Sequence, residues 1–186
     1  MEVLWIRHGE SLGNVEKRIQ TEDEPLTEQG ISQAEKLKSR FENIVIDRVF
    51  CSPMVRCKET AKIIFGNTNI PIVYVKDIEE KRNGIMEGKK LDEADWTEIN
   101  KAPFEERKAP KGENLRDVAK RAQTFLDKLK HLNDKRICVI SHSTILRVIV
   151  ALTQNKPLEE AIRTVSIDNA EIVRCTVASN KIVFNF

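Results

Sequence analysis

The chain has 186 residues, 40% of them hydrophobic and 32% charged, which is a length and composition for one globular domain (1–186) with a real core. Thirty-one basic against 29 acidic residues leave a net charge of only +2, so no global basic field argues for nucleic acid and any anion site must be local. No apolar run approaches the roughly 20 residues of a membrane span, no leader peptide is expected, and four cysteines without a C-x-x-C, beside three histidines, predict no metal site; Cys51 and Cys138, in apolar strand-like runs, are expected to be buried thiols, in a reducing, cytoplasmic setting.

The first apolar run, Val3–Ile6, predicts a buried strand that ends in Arg7-His8-Gly9-Glu10-Ser11. Pro25–Gly30 opens a helix with Thr27 as its N-cap and Ile31, Ala34, Leu37 and Phe41 on one face. Arg48–Ser52 reads as a second strand, Met54–Phe65 as a helix and Ile70–Val75 as a third strand. From Asp77 to Pro110 the pattern is least regular, with one short helix expected over Leu91–Ile99. Asn114–Leu132 carries Leu115, Val118, Ala122, Phe125, Leu126 and Leu129 along one side, the longest amphipathic helix. Arg136–Ser141 is a fourth strand, Thr144–Leu152 a helix, and Glu171–Val177 and Lys181–Phe186 close the chain as strands joined by a turn at Ser179-Asn180.

This alternation predicts an α/β fold, a three-layer αβα sandwich whose central sheet is mostly parallel with helices on both faces. Sites in such folds lie beyond the carboxyl ends of the strands. Three polar clusters follow strands in that way: Arg7-His8, Ser52–Arg56 and Ser141-His142-Ser143. Their convergence would put two arginines and two histidines at one sheet edge. Arginine matches the geometry of phosphate oxygens, and a histidine can act as a nucleophile near neutral pH.

Six pieces stand in order along the chain: Arg7-His8-Gly9-Glu10-Ser11-x-x-Asn14, Pro25-Leu26-Thr27-Glu28-x-Gly30-x-x-Gln33-Ala34, Ser52-Pro53-x-x-Arg56-x-x-x-Thr60-Ala61, Glu80-x-x-x-Gly84-x-x-Glu87-Gly88, Gly112-Glu113 and Ser141-His142. Together they resemble the histidine phosphatase superfamily, the phosphoglycerate mutase-like group of branch 1 type, over essentially the whole chain. The resemblance implies the phosphoglycerate mutase-like fold and His8 as the nucleophile that becomes phosphorylated, attacking through Nε2 while a backbone carbonyl holds Nδ1. It places Arg7, Arg56 and His142 around the phosphoryl oxygens, a fixed cationic cradle that needs no metal and no cofactor. Asn14 is implied as a phosphate donor. Ser143, where this group usually has Gly, is placed to donate to phosphate or to cap the next helix. Ser11 orders the loop and Gly9 permits close backbone approach.

A leaving alkoxide needs a proton. Glu79 and Glu80 compete for that role, and the family spacing, an acid four residues before a Gly, selects Glu80 over its neighbour. Partial burial beside a phosphate dianion is expected to raise its pKa. The sequence departs from the family pattern at Thr21, Met86, Asn114 and Ser143. Phosphoglycerate mutases of this core usually continue the acid with Arg-His-Tyr-Gly and carry an enclosing insertion, whereas here Lys81-Arg82-Asn83-Gly84 follows and only 61 residues separate Glu80 from His142. A smaller lid admits water. The expected function is therefore a phosphatase of small phosphomonoesters, with a cofactor-dependent phosphoglycerate mutase, a protein phosphohistidine phosphatase and a non-catalytic phosphate-binding module as alternatives. The expected partner is a small phosphorylated substrate, not nucleic acid or a membrane; nothing in the sequence fixes an oligomeric state. The segment Lys89–Lys111 is expected to form the substrate rim, and its Lys89, Lys90, Arg107, Lys108 and Lys111 read first as a solvated face.

Overall fold

A computed structural model describes residues 1–178 and 181–185. Six strands form one sheet: β1 (Glu2–Arg7), β2 (Arg48–Cys51), β3 (Ile72–Tyr74), β4 (Arg136–Ser141), β5 (Ile172–Ala178) and β6 (Lys181–Asn185), in the spatial order β3-β2-β4-β1-β5-β6. The β3–β2, β2–β4 and β4–β1 pairs are parallel, and β5 runs antiparallel to both β1 and β6. The helices are α1 (Leu12–Val15), α2 (Glu28–Phe41), α3 (Val55–Phe65), α4 (Leu115–Lys130), α5 (Ser143–Gln154) and α6 (Leu158–Thr164). This is the expected three-layer α/β architecture. Among the described residues no helix is long and apolar enough to cross a membrane.

The period-2 geometry of a strand sends alternate side chains to opposite faces, and here both faces are apolar because both are covered. Val3 and Trp5 of β1, Phe50 of β2 and Ile137 and Val139 of β4 pack with Val118, Phe125 and Leu129 of α4 and Ile145, Leu146 and Ile149 of α5. Leu4 and Ile6, Val49 and Cys51, and Cys138 and Ile140 point the other way, against Leu37 and Phe41 of α2 and Ile64 and Phe65 of α3. Trp5 is fully buried; its ring meets Phe125 edge-on at 5.9 Å and its Nε1 donates to Cys175 Sγ at 3.2 Å. All four cysteines are free and buried.

Thr27 caps α2 as expected, its Oγ1 accepting from Gly30 N at 3.0 Å. Two readings need correction, and one helix has no counterpart in the sequence reading. Leu91–Ile99 is not helical; turns run through it, and short 3-10 turns follow at Ile99–Lys101 and Phe104–Glu106. Asp95 Oδ1 accepts from Thr97 N at 2.9 Å, a local bond that competes with helix. The segment's Ala94, Trp96 and Ile99 instead anchor in a satellite cluster with Ile19, Met86 and Ala109. Helix α6, unanticipated above, begins behind Pro157 with Glu159 and Glu160 in its first turn, a favourable N-terminus. The third strand is cut to Ile72–Tyr74 at the sheet edge. The expected turn at Ser179-Asn180 and the end of the last strand at Phe186 lie outside the described residues.

Candidate active site

Register decides where the polar clusters meet. Arg7 pairs with Ser141, and Ile140 pairs with both Ile6 and Cys51. Parallel strands in this register bring the carboxyl ends of β1, β2 and β4 side by side, so Arg7-His8, Ser52–Arg56 and Ser141-His142-Ser143 arrive at one edge.

His8 is buried, 2% exposed, with its backbone N–H donating to Ser141 O at 3.0 Å. Its Nδ1 lies 2.7 Å from Gly9 O. A carbonyl can only accept, so Nδ1 carries the proton and Nε2 keeps its lone pair. Arg56 Nε donates to that Nε2 at 3.2 Å, while its Nη1 donates to Thr21 O at 2.8 Å and its Nη2 to Met54 Sδ at 3.2 Å. Arg56 is 1% exposed, a side chain held on three sides. Burial first, then the Arg56 and Arg7 charges, push His8 well below the usual histidine range, against the Gly9 hydrogen bond. The imidazole is therefore neutral at neutral pH.

His142 is the N-cap of α5, fully buried, with its ring centroid 5.2 Å from that of His8. Its Nε2 hydrogen-bonds Ser52 Oγ at 2.8 Å and lies 3.4 Å from Cys57 Sγ. Burial, then Arg56 and His8, drive it too well below the histidine range. Ser143 is the first residue of α5, so capping falls to His142 by position and not to the Ser143 hydroxyl. Arg7 anchors through Nη1 to Ile167 O at 2.7 Å, and its buried Nε has no partner among the described residues. Burial lowers the pKa of both guanidiniums, yet arginine's ordinary value is so far above neutrality that both stay charged.

Asn14 turns its Oδ1 inward. It accepts from Ser11 N at 3.1 Å, Ser11 Oγ at 2.9 Å and Asn169 Nδ2 at 3.3 Å, which leaves the amide NH₂ as its donor. Ser11 thus orders the loop. Gly9 does permit a close approach, but of helix α2: a Cβ there would sit 2.6 Å from Gly30 O, and one on Gly30 would sit 2.0 Å from Glu10 O. The loop and α2 touch backbone to backbone.

Glu80 follows β3 and a 3-10 turn at Lys76–Ile78. Its Oε1 accepts from Lys81 N at 2.8 Å and its Oε2 from Thr144 N at 3.2 Å, which ties it to the first turn of α5, two residues past His142. Its charge acts on both Arg7 and Arg56. The competing Glu79 is half-buried, and desolvation raises its pKa.

Two residues escaped the sequence reading. Arg121 of α4 donates through Nη1 to Asp77 O (3.0 Å) and Glu79 O (2.6 Å), and through Nη2 to Glu80 O at 3.1 Å. It also grips Glu113 with Nε (2.9 Å) and Nη2 (3.0 Å), and Glu113 in turn accepts from Arg82 N at 2.9 Å. The pair clamps the loop carrying Glu80. Asn169 donates to His8 O at 3.0 Å as well as to Asn14. The cations of 89–111 mostly serve the surface: Lys90 pairs with Glu93, Lys108 with Asp117, and Arg107 stacks on Phe104.

Such a site has recognisable company. The family model of the histidine phosphatase superfamily (branch 1) matches residues 3–185. A protein of Erwinia tasmaniensis described as a probable phosphoglycerate mutase GpmB is 31% identical over 181 residues, covering 94% of this chain and 84% of that protein. Bacillus stearothermophilus YhfR superposes with a TM-score of 0.88 at 26% identity, over 98% of this chain and 94% of that one. An Escherichia coli structure described as a putative alpha-ribazole-5'-P phosphatase superposes at 0.90 with 22% identity, over 100% and 94%; at that identity the likeness is one of fold. With the paired histidines and arginines at the sheet edge and the model match running from β1 into β6, the chain belongs to branch 1 of the histidine phosphatase superfamily.

Proposed function

We propose that this protein hydrolyses small phosphomonoesters through a phosphohistidine on His8, without a metal. The observation that carries the reading is the state of His8: Nδ1–H is committed to Gly9 O, the ring is neutral, and Nε2 is free of a proton among buried cations. Nε2 attacks phosphorus and the bond to the ester oxygen breaks. Arg7, Arg56, His142, the Asn14 amide and Ser143 at the head of α5 receive the non-bridging oxygens, whose charge a prearranged cradle stabilises without reorganising water. Glu80 gives the leaving alkoxide its proton. Water then attacks the phosphohistidine, Glu80 takes up the proton, and Nε2 leaves with its lone pair restored. Arg56 Nε holds that lone pair in the empty site, so substrate phosphate has to take the Nε–H over.

The name of the Erwinia relative favours a second reading, a phosphoglycerate mutase. A mutase must hold a bisphosphorylated intermediate while it turns, which calls for free cations beside the acid. Here Lys81 Nζ is 2.9 Å from Asn83 Oδ1 and Arg82 pairs with Glu113 at 3.6 Å, and hydrolysis is the better-supported outcome. Four buried thiols fit a reducing, cytoplasmic setting. The test is phosphate release from a panel of alkyl phosphates together with 3-phosphoglycerate plus 2,3-bisphosphoglycerate. Wild type should release phosphate and take up label at His8; His8→Ala should lose about 10⁴-fold or more in kcat. Interconversion to 2-phosphoglycerate that outpaces phosphate release would give the mutase reading its place.

A further inference from the structure

Two hollows flank Glu80. One is charged: Glu22, Lys76, Arg82 and Glu87 line it with Glu80 itself, and its groups are partly spent on one another, Glu87 Oε1 accepting from Asn83 N at 2.8 Å and Gly84 N at 3.1 Å, Arg82 turned to Glu113. The other, about 220 Å³, is walled by Trp96, Ile99, Phe104, Leu115 and Ile162; Asn100, Arg107 and Ala109 also line it, as do Lys81 and Thr144. Those last two are the residues whose backbone N–H groups hold the two oxygens of Glu80. The hollow is therefore lined by the two residues that hold the carboxylate, not by Glu80 itself.

Its origin is a seam. Phe104, Leu115 and Ile162 belong to the main core, whereas Trp96 and Ile99 belong to the satellite cluster built on Ile19 and Met86. Two separately packed bodies meet there and leave a gap. Trp96, Ile99, Phe104 and Ile162 are only half-buried, so apolar wall stands partly against water, with the Arg107 and Arg163 guanidiniums over the Phe104 ring at 5.2 and 4.8 Å.

We propose that this hollow receives the alcohol half of the substrate, and that the preferred substrates are phosphomonoesters of ring-sized apolar alcohols. The inference rests on the phosphatase reading and adds the substrate class. A general acid has to touch the ester oxygen, and His8 with its cations occupies the phosphate side, so the substituent on that oxygen leaves past the carboxylate, on the side of Lys81 and Thr144, which line the hollow. The size fits: an apolar cavity of about 150 Å³ holds a benzene ring, and 220 Å³ takes a ring with a short tether. Burying such a ring favours binding by the apolar area withdrawn from water.

The experiment compares 2-phenylethyl phosphate with ethyl phosphate, whose leaving alcohols differ little in acidity, in wild type, Trp96→Ala and Ile162→Trp. The wild-type kcat/KM should favour the ring ester by about ten-fold or more. Trp96→Ala removes one wall and Ile162→Trp fills the space from a different element; both should erase most of the preference through KM while ethyl phosphate turnover stays within about three-fold, which also reports that the variants fold. Hydrolysis of both esters at equal efficiency by wild type, or a preference that survives the filled hollow, overturns the assignment and leaves the phosphatase reading standing. Release of phosphate from neither ester removes both.

Discussion

At the scale of single residues, Arg56 carries the most geometry. It is 1% exposed and uses each nitrogen of its guanidinium on a different partner, the His8 ring, the Thr21 carbonyl and the Met54 sulfur. Lysine keeps a charge but not the fork. Arg56→Lys should therefore keep the fold and lose about 10²- to 10³-fold in kcat/KM, the cost of one preorganised donor to a developing anion. Steady-state kinetics on ethyl phosphate, with circular dichroism as the check on folding, measures it; a variant within three-fold of wild type would remove Arg56 from the cradle. Arg56 was legible in the sequence because Ser-Pro behind a strand and a helix start placed it at the sheet edge. Its hold on Thr21 was not, because a bond to a carbonyl in a distant loop leaves no trace in side-chain pattern.

At the scale of elements, α4 does more than cover the sheet. Its inner stripe of Leu115, Val118, Ala122, Phe125, Leu126 and Leu129 is buried as its periodicity predicts, and a residue off that stripe, Arg121, reaches three carbonyls between Asp77 and Glu80 while Glu113 locks its other side. The clamp positions Glu80 without touching substrate. Arg121→Met should lower kcat on alkyl phosphates by about 10- to 100-fold, the usual cost of a small misplacement of a catalytic group, with KM little changed. Aryl phosphates, whose leaving groups need less protonation, should lose far less, and Arg121→Lys should recover part of the alkyl rate. Equal losses on both ester classes would mean that the clamp supports the fold alone. The strands and long helices were readable because both faces of the sheet and one stripe of each helix repeat their apolar residues at fixed spacing. Asn169 was not, because it lies before a strand and not after one: β5 runs antiparallel to β1, so the segment preceding β5 comes to the same edge, and Asn169 reaches His8 O from there. The misread Leu91–Ile99 failed for another reason. Its apolar residues answer to a separate cluster with Ile19 and Met86, not to one helical face.

At the scale of the whole molecule, the parallel register that assembles the site also buries two imidazoles at the sheet edge, and that ties folding to pH. Burial and the Arg56 charge hold both His8 and His142 well below the ordinary histidine value near 6.5. As pH falls through that ordinary value, the unfolded chain binds protons that the folded chain refuses, so the unfolded state gains and stability drops. Above about pH 7 neither state binds them and stability is level with respect to these groups. Below about pH 6.5 each histidine should cost about 1.4 kcal/mol per pH unit until its native value is reached, or about 2.7 kcal/mol per unit for the pair. Exposed carboxylates held low by nearby donors, such as Asp47, Asp117 and Asp127, pull in the same direction only near their own ordinary range around pH 4, outside this window. Urea unfolding at pH 8, 7, 6 and 5.5 should give a constant free energy at the upper two values and a steep fall at the lower two. Removing one titrating ring, as in His142→Asn, should roughly halve the slope whatever it does to the absolute stability. A wild-type profile that stays level to pH 5.5 would mean that both rings accept protons in the folded protein, and the neutral His8 on which nucleophilic attack depends would then be confined to higher pH.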